Sequence, residues 1–258
     1  MPATHCIVLA GGEGRRLGGA SKADVSIGGR RLLDRVVAGV RPFVSGRIAA
    51  VAPDSVDVPP GVLRTLEDPP AGGPLAGIDA GLKALGASAA PTRAAAAPAD
   101  SPRGAPGSAA LADGSVGEPS AAAQDVVFVF AVDTPQAGVL APRLAAAARG
   151  RDGAVVVGGE PPFRQCLQAI YRIEALRAAI EEAGGPRNKG VRRTLAGLDL
   201  AEVPASADEC RDVDTPEDVS WWSKALGSAD SGVVLRGSGA LSVRLRRAGP
   251  GYGAREVR

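Results

Sequence analysis

Apolar and polar positions along this chain change period repeatedly, from short runs of Val, Ile, Ala and Phe to longer stretches in which apolar residues recur every three or four places. The short runs, bounded by Gly, Pro or Asp, predict strands over residues 5–10, 47–52, 62–66, 126–132 and 153–157. The longer stretches predict helices over 31–40, 75–85, 138–149, 173–183, 191–198 and 216–226. Strand and helix alternate, so the expected fold is α/β: a doubly wound, mostly parallel sheet in a single domain. In such sheets ligands bind beyond the carboxyl ends of the strands.

Two stretches break the alternation. Residues 87–124 contain 15 Ala, 5 Pro, 5 Ser and 4 Gly, with Leu111 and Val116 as the only large aliphatics. Burial of so little apolar surface does not offset the entropy of ordering, and the expectation is a surface insertion without a packed structure. Residues 223–258 hold seven Lys/Arg against two Asp/Glu, so the formal charge of +2 divides into a slightly acidic body and a basic tail. The expected organisation is a folded domain over 1–223, interrupted at 87–124, and a solvated basic tail over 224–258 to which no function is assigned.

The first predicted strand runs into Gly11-Gly12-Glu13-Gly14-Arg15-Arg16-Leu17-Gly18-Gly19-Ala20-Ser21-Lys22, a loop with five glycines and three cations. Residues without a Cβ let a ligand oxygen approach the main chain, and successive N–H groups make an anion-binding concavity. Arg15, Arg16 and Lys22 add positive charge, which suits a polyphosphate. Arg15 taken alone reads as a solvated charge. The dinucleotide fingerprint is excluded, because Leu17 stands where its third glycine is required; the P-loop is excluded because Ala23 follows Lys22.

Leu9-Ala10-Gly11-Gly12, followed by Arg16-Leu17-Gly18-Gly19 and Lys22, resembles the signature of nucleotidyltransferases, above all the molybdenum cofactor guanylyltransferases. Two further motifs follow in the same order. Glu67-Asp68-Pro69-Pro70-Ala71-Gly72-Gly73-Pro74-Leu75 resembles the family's acidic, Pro- and Gly-rich second motif, and Val132-Asp133-Thr134-Pro135 its metal-binding Asp-x-Pro. Taken singly, Asp68 and Asp133 read as turn formers about as readily as ligands, since each has a proline within two residues. The resemblance covers most of residues 4–223 outside the insertion and implies a Rossmann-like nucleotidyltransferase fold.

It also implies roles for individual residues. Leu9, Ala10, Gly11 and Gly12 would touch the nucleotide through their backbone, and Asp68 the nucleoside. Asp133 would hold Mg²⁺ against the α-phosphate, while Lys22 and Arg16 would steady the oxygens that leave as pyrophosphate. The substrates implied are GTP and molybdopterin carrying molybdenum, whose terminal phosphate would receive GMP. Phosphoryl-type transfer asks mainly for positioning and electrostatic stabilisation, so a chain with one histidine is equipped for it. Residues 163–171 look like the family's substrate-side strand, and residues 191–195 like its final basic helix, a place for pterin phosphate. Transient contact with molybdenum-insertion or molybdoenzyme maturation proteins is a further implication.

The chain departs from the family pattern at Ser21, where an acidic residue usually precedes the lysine, and at Ala52-Pro53, where asparagine is frequent. Asp212-Val213-Asp214-Thr215-Pro216-Glu217-Asp218 replaces an asparagine-rich motif with an aspartate form shared by sister nucleotidyltransferases. Asp214 is either a second metal contact or a residue complementing a helix N-terminus. The alternatives are a cytidylyl- or phospholactate-type nucleotidyltransferase, or a nucleotide-binding regulator without turnover.

Composition narrows the rest. At 258 residues and 45% apolar content the chain can bury a core, and its apolar runs are too short for a membrane span or a signal-peptide core. The expectation is a cytoplasmic protein without membrane or nucleic-acid partners. Cys6, Cys166 and Cys210 have neither disulfide nor zinc spacing and read as small buried apolar residues. His5 reads as a packed or strand-end residue, and Trp221 and Trp222 as anchors of the last helix.

Overall fold

The computed structural model describes residues 2–11, 17, 21–86 and 124–230. Its core is a sheet of β1 (Thr4–Leu9), β4 (Ile48–Val51), β5 (Val62–Thr65), β6 (Val126–Ala131), β7 (Gly153–Gly158), β8 (Phe163–Arg172) and β9 (Leu200–Pro204), in the order β5-β4-β1-β6-β8-β7-β9. Strands β5, β4, β1 and β6 pair in parallel, as do β7 and β9; β8 alone runs against its neighbours β6 and β7. The sheet is therefore mostly parallel, with helices on both faces.

Alternation along each strand sorts side chains between those faces. Cys6, Val8, Phe128, Phe130 and Ile170 pack with α1 (Leu32–Val40), α3 (Ala137–Ala147) and α6 (Pro216–Asp230). Ile7, Val127, Val129, Ala169 and Tyr171 pack on the other side with α2 (Pro74–Ala84) and α4 (Ile173–Glu182). The central strands β1 and β6 are buried on both faces, which is why they read as unbroken apolar runs. Helices α1 and α3 meet backbone to backbone at Gly39 and Gly138, where a Cβ on Gly138 would lie 2.7 Å from Gly39 Cα.

The predicted elements are present with ends shifted by a residue or two, apart from two helices. The helix expected over 191–198 is a single turn, α5 (Val191–Thr194), because the chain must bend back to enter β9. Helix α6 continues to Asp230, past residue 223 where the folded domain was expected to close. Strand β9 was not predicted: it is a short edge strand containing Ala, Glu and Pro, defined by its register with β7. Nor was the hairpin of β2 (Ser26–Ile27) and β3 (Arg30–Arg31), whose two-residue turn places Gly28 and Gly29 at φ 56° and 76°. Glycine takes such angles without steric cost, and they match the twist of a tight hairpin.

The three cysteines are buried and unbridged. His5 is buried too, its Nδ1 accepting a hydrogen bond from Arg47 N at 3.1 Å. Trp222 is only 1% exposed and fixes α6 to the core, with Trp221 edge-on against it at 4.8 Å. No helix among the described residues is long and apolar enough to cross a membrane. All of the insertion but Gln124, and most of the basic tail, lie outside the described residues.

Candidate active site

The site forms where β1 and β6 end side by side. Leu9 pairs with Ala131 on one flank and Val51 on the other; Val132 N then donates to Leu9 O at 3.0 Å, and Ala10 N to Val51 O at 2.8 Å. Beyond these bonds the two chains part, Gly11 emerging exposed and Asp133 opening a tight turn. Thr134 fastens that turn, its hydroxyl donating to Ala131 O at 2.6 Å, before α3 begins.

Lys22 returns to this place through a single 3-10 turn over Lys22–Asp24. Its Nζ donates to Asp133 Oδ2 at 2.7 Å and to Asp214 Oδ1. Lys22 and Asp133 are mostly buried, with side chains 17% and 19% exposed, and Asp214 is the solvent-facing member at 45%. Burial alone would lower the Lys22 pKa, but the hydrogen bonds it donates to both carboxylates outweigh it and hold the ammonium above its ordinary value. Lys22 is thus a fixed positive charge.

Asp214 arrives because the segment before α6 is pinned to the Asp133 turn: Val213 N donates to Asp133 O at 3.0 Å. The N-terminus of α6 is capped by other residues. Thr215 N donates to Asp218 Oδ2 at 3.0 Å and Asp218 N to Thr215 Oγ1 at 3.2 Å, a reciprocal capping box. Of the two roles open to Asp214, the structure gives the capping to Thr215 and Asp218 and leaves the Asp214 carboxylate facing Lys22. The neighbouring Asp212 is solvent-exposed, yet desolvation by the atoms crowded around its carboxyl, and then the negative charges of Asp133 and Asp214, push it up to about 6. Negative potential is concentrated here.

The same helix steadies the approach of Lys22. Gly28 N, in the hairpin that follows Lys22, donates to Ser223 Oγ of α6 at 3.2 Å, and Arg35 Nη2 of α1 donates to Ile27 O at 3.2 Å.

Asp68 lies in the exposed loop after β5, two strands away from β1 on the same edge of the sheet, and no hydrogen bond or ion pair among the described residues joins it to Lys22, whose side chain meets Asp133 and Asp214. This loop is clasped by the one before α5, with Arg187 Nη1 donating to Pro69 O at 2.7 Å and Asn188 N to Gly72 O at 2.8 Å. Arg192 of α5 lies over the Phe163 ring, 5.7 Å from its centroid. Leu9, Ala10 and Gly11 line the end of β1, whereas Gly12, Arg15 and Arg16 lie outside the described residues. Sequence reasoning passed over Arg211, and named Asp212 and Asp218 within the aspartate-form motif without giving either a role. The spacing Thr215-Pro216-Glu217-Asp218 was the available signal for the last of these.

The donor set fits a small divalent cation. Asp133 and Asp214 each present a hard carboxylate oxygen to one point, the position of the Lys22 ammonium, and Mg²⁺ is ordinarily held by one or two carboxylates with substrate phosphates and water completing the shell. Among the described residues no cluster of three or more His, Cys, Asp or Glu could hold a metal by itself.

A mostly parallel α/β sheet with a lysine and two aspartates converging beyond its central strands defines a Rossmann-like domain with its site at the carboxyl edge. The chain belongs to the MobA-like NTP transferase domain family, which matches residues 6–203. A molybdenum cofactor guanylyltransferase of Cereibacter sphaeroides is 39% identical over 99 residues, covering 37% of this chain and 49% of that protein. The chain thus spans about half the length of the curated guanylyltransferases it matches. A 2-C-methyl-D-erythritol 4-phosphate cytidylyltransferase of Deinococcus radiodurans is 44% identical over 61 residues, covering 24% of this chain and 26% of that protein. The crystal structure of the enzyme of that name from Thermus thermophilus shares the fold, with a TM-score of 0.55 and 18% identity over 88% of this chain and all of that one.

Proposed function

We propose that this protein is a Mg²⁺-dependent guanylyltransferase that transfers GMP from GTP to the terminal phosphate of molybdenum-loaded molybdopterin, releasing pyrophosphate. The observation that carries the reading is the meeting of Lys22, Asp133 and Asp214 at the end of β1 and β6, in a chain whose partial relatives are named as guanylyltransferases. In the reaction an acceptor phosphate oxygen forms a bond to the α-phosphorus of GTP. The bond from that phosphorus to the bridging oxygen breaks, and its electron pair leaves with pyrophosphate.

Each residue has a task within that scheme. Asp133 and Asp214 would hold the metal, and Lys22 supplies an ammonium to the triphosphate oxygens. Mg²⁺, when bound, neutralises phosphate charge as it develops on the leaving group. Leu9, Ala10, Gly11 and Gly12 offer backbone to the nucleotide, Arg16 adds charge to the leaving oxygens, and Asp68 meets the nucleoside. The catalytic unit includes α6, which continues past residue 223 to Asp230.

The base is the least constrained element, and a cytidylyl reading is favoured by the cytidylyltransferase relative and by the aspartate form of residues 212–218. Incubating the protein with GTP or CTP and molybdenum-loaded molybdopterin, and following pyrophosphate, separates the two. Release with GTP alone is expected; release with CTP alone overturns the guanylyl reading.

A further inference from the structure

The Asp214 carboxylate reaches Lys22 from a segment anchored on one side by the buried Val213, whose N donates to Asp133 O at 3.0 Å, and on the other by one side chain of α6. Asp218 Oδ2 accepts hydrogen bonds from Asp214 N at 3.3 Å, Thr215 N at 3.0 Å and Thr215 Oγ1 at 2.8 Å. Its other oxygen, Oδ1, accepts from Arg211 Nε at 3.1 Å and Nη2 at 2.9 Å. Arg211 is in turn stacked over the Trp221 ring, 4.7 Å from its centroid, and Trp221 abuts the buried Trp222. A line of contacts therefore runs from the protein core through Trp222, Trp221, Arg211 and Asp218 to the backbone of Asp214.

We infer that Asp218 is a positioning residue for metal binding: by fixing the Asp214 amide, it aims the Asp214 carboxylate at the point it shares with Asp133. The inference rests on reading Asp133 and Asp214 as the cation ligands. A helix cap needs only the bonds to Thr215; the bond to Asp214 N and the paired bonds from Arg211 exceed that need. Arg211 also neutralises Asp218, so the extra carboxylate stiffens the segment without adding another unbalanced charge beside Lys22. Partial burial works against ionisation of Asp218, but the bonds from Thr215 and Arg211 outweigh it and hold the carboxyl below its ordinary value. Partners that orient a metal ligand typically matter to metal affinity by about 10-fold or more.

The test uses the full chain and Mn²⁺ as probe, with free Mn²⁺ read from its electron paramagnetic resonance signal. Asp218→Ala is expected to raise the Mn²⁺ dissociation constant about 10-fold. The Mg²⁺ concentration for half-maximal turnover should rise in parallel, with kcat at saturating Mg²⁺ within about twofold of the parent. Asp218→Asn, which keeps the side-chain shape, should shift Mn²⁺ binding in the same direction should the alanine variant fail to fold. Thr215→Val, which removes the cap hydroxyl and its bond to Asp218 Oδ2 but leaves the bonds from Asp214 N and Arg211, should lower Tm and weaken Mn²⁺ binding less than Asp218→Ala does. Asp214→Asn provides the reference: loss of Mn²⁺ binding there, with parent-like binding in folded Asp218→Ala or Asp218→Asn, overturns the positioning role alone. Parent-like binding in Asp214→Asn overturns the ligand assignment and the positioning role with it.

Discussion

Lys22 Nζ lies 2.7 Å from Asp133 Oδ2, joining residues 111 positions apart at the carboxyl edge of the sheet. The ammonium stands where two carboxylates converge, so it offsets their repulsion and at the same time competes with any other cation for the same oxygens.

Lys22→Met removes that charge from the triphosphate, and turnover should fall by about 10²–10³-fold, the usual consequence of deleting one stabilising donor. Mn²⁺ binding measured without nucleotide should be retained or tightened, because its competitor is gone. Weaker Mn²⁺ binding in a folded Lys22→Met protein would contradict the shared use of Asp133 and Asp214.

Gly138→Ala tests the crossing of α1 and α3. Alanine in a helix is ordinarily better than glycine by up to about 1 kcal/mol, yet a methyl here would press on Gly39 Cα at 2.7 Å. The expected sign is inverted, with a loss of about 1–3 kcal/mol seen as a Tm lowered by several degrees. Val139→Ala, at a side chain 51% exposed, should change Tm little. A Gly138→Ala protein as stable as its parent would mean that the helices are further apart.

Trp222→Ala should cost about 3–5 kcal/mol by leaving a cavity under α6, measured by denaturant unfolding. Trp222→Phe should cost much less. The indole Nε1 is buried without a hydrogen-bond partner among the described residues, so phenylalanine forfeits ring volume but no polar contact. Equal losses in the two variants would place the indole N–H in a bond with another group.

His5 contributes one part of the pH dependence. Burial is the main cause of its lowered pKa, with Arg47 acting in the same direction and Asp125 against it, and the Nδ1 that accepts from Arg47 N is free only on the neutral ring. The unfolded chain binds this proton more readily than the folded one, so stability from His5 is complete above pH 6.5 and is lost as pH falls through that value toward the lower folded pKa. In His5→Gln, whose amide oxygen can accept but does not titrate, Tm should fall less between about pH 7.5 and about pH 5.5 than in the parent. An identical fall would assign the dependence to other groups.

What the amino-acid order determined is local. Periodicity located the buried strands β1 and β6 because both faces of each are covered, and glycine chemistry marked the loop after β1 as an anion site in prospect. The Gly28-Gly29 turn was also written there, as was the Thr215–Asp218 cap, although neither was noticed. Strand β9 had no such signature, since an edge strand takes its definition from the neighbour it pairs with. The tertiary structure alone decided that Lys22, Asp133 and Asp214 meet. Strand order and register are set by which faces pack together across the whole sheet, and spacing along the chain carries no record of them. Asp214 depends further on Val213 N finding Asp133 O and on Asp218 reaching back from α6, contacts that exist only once the core beneath Trp222 has closed.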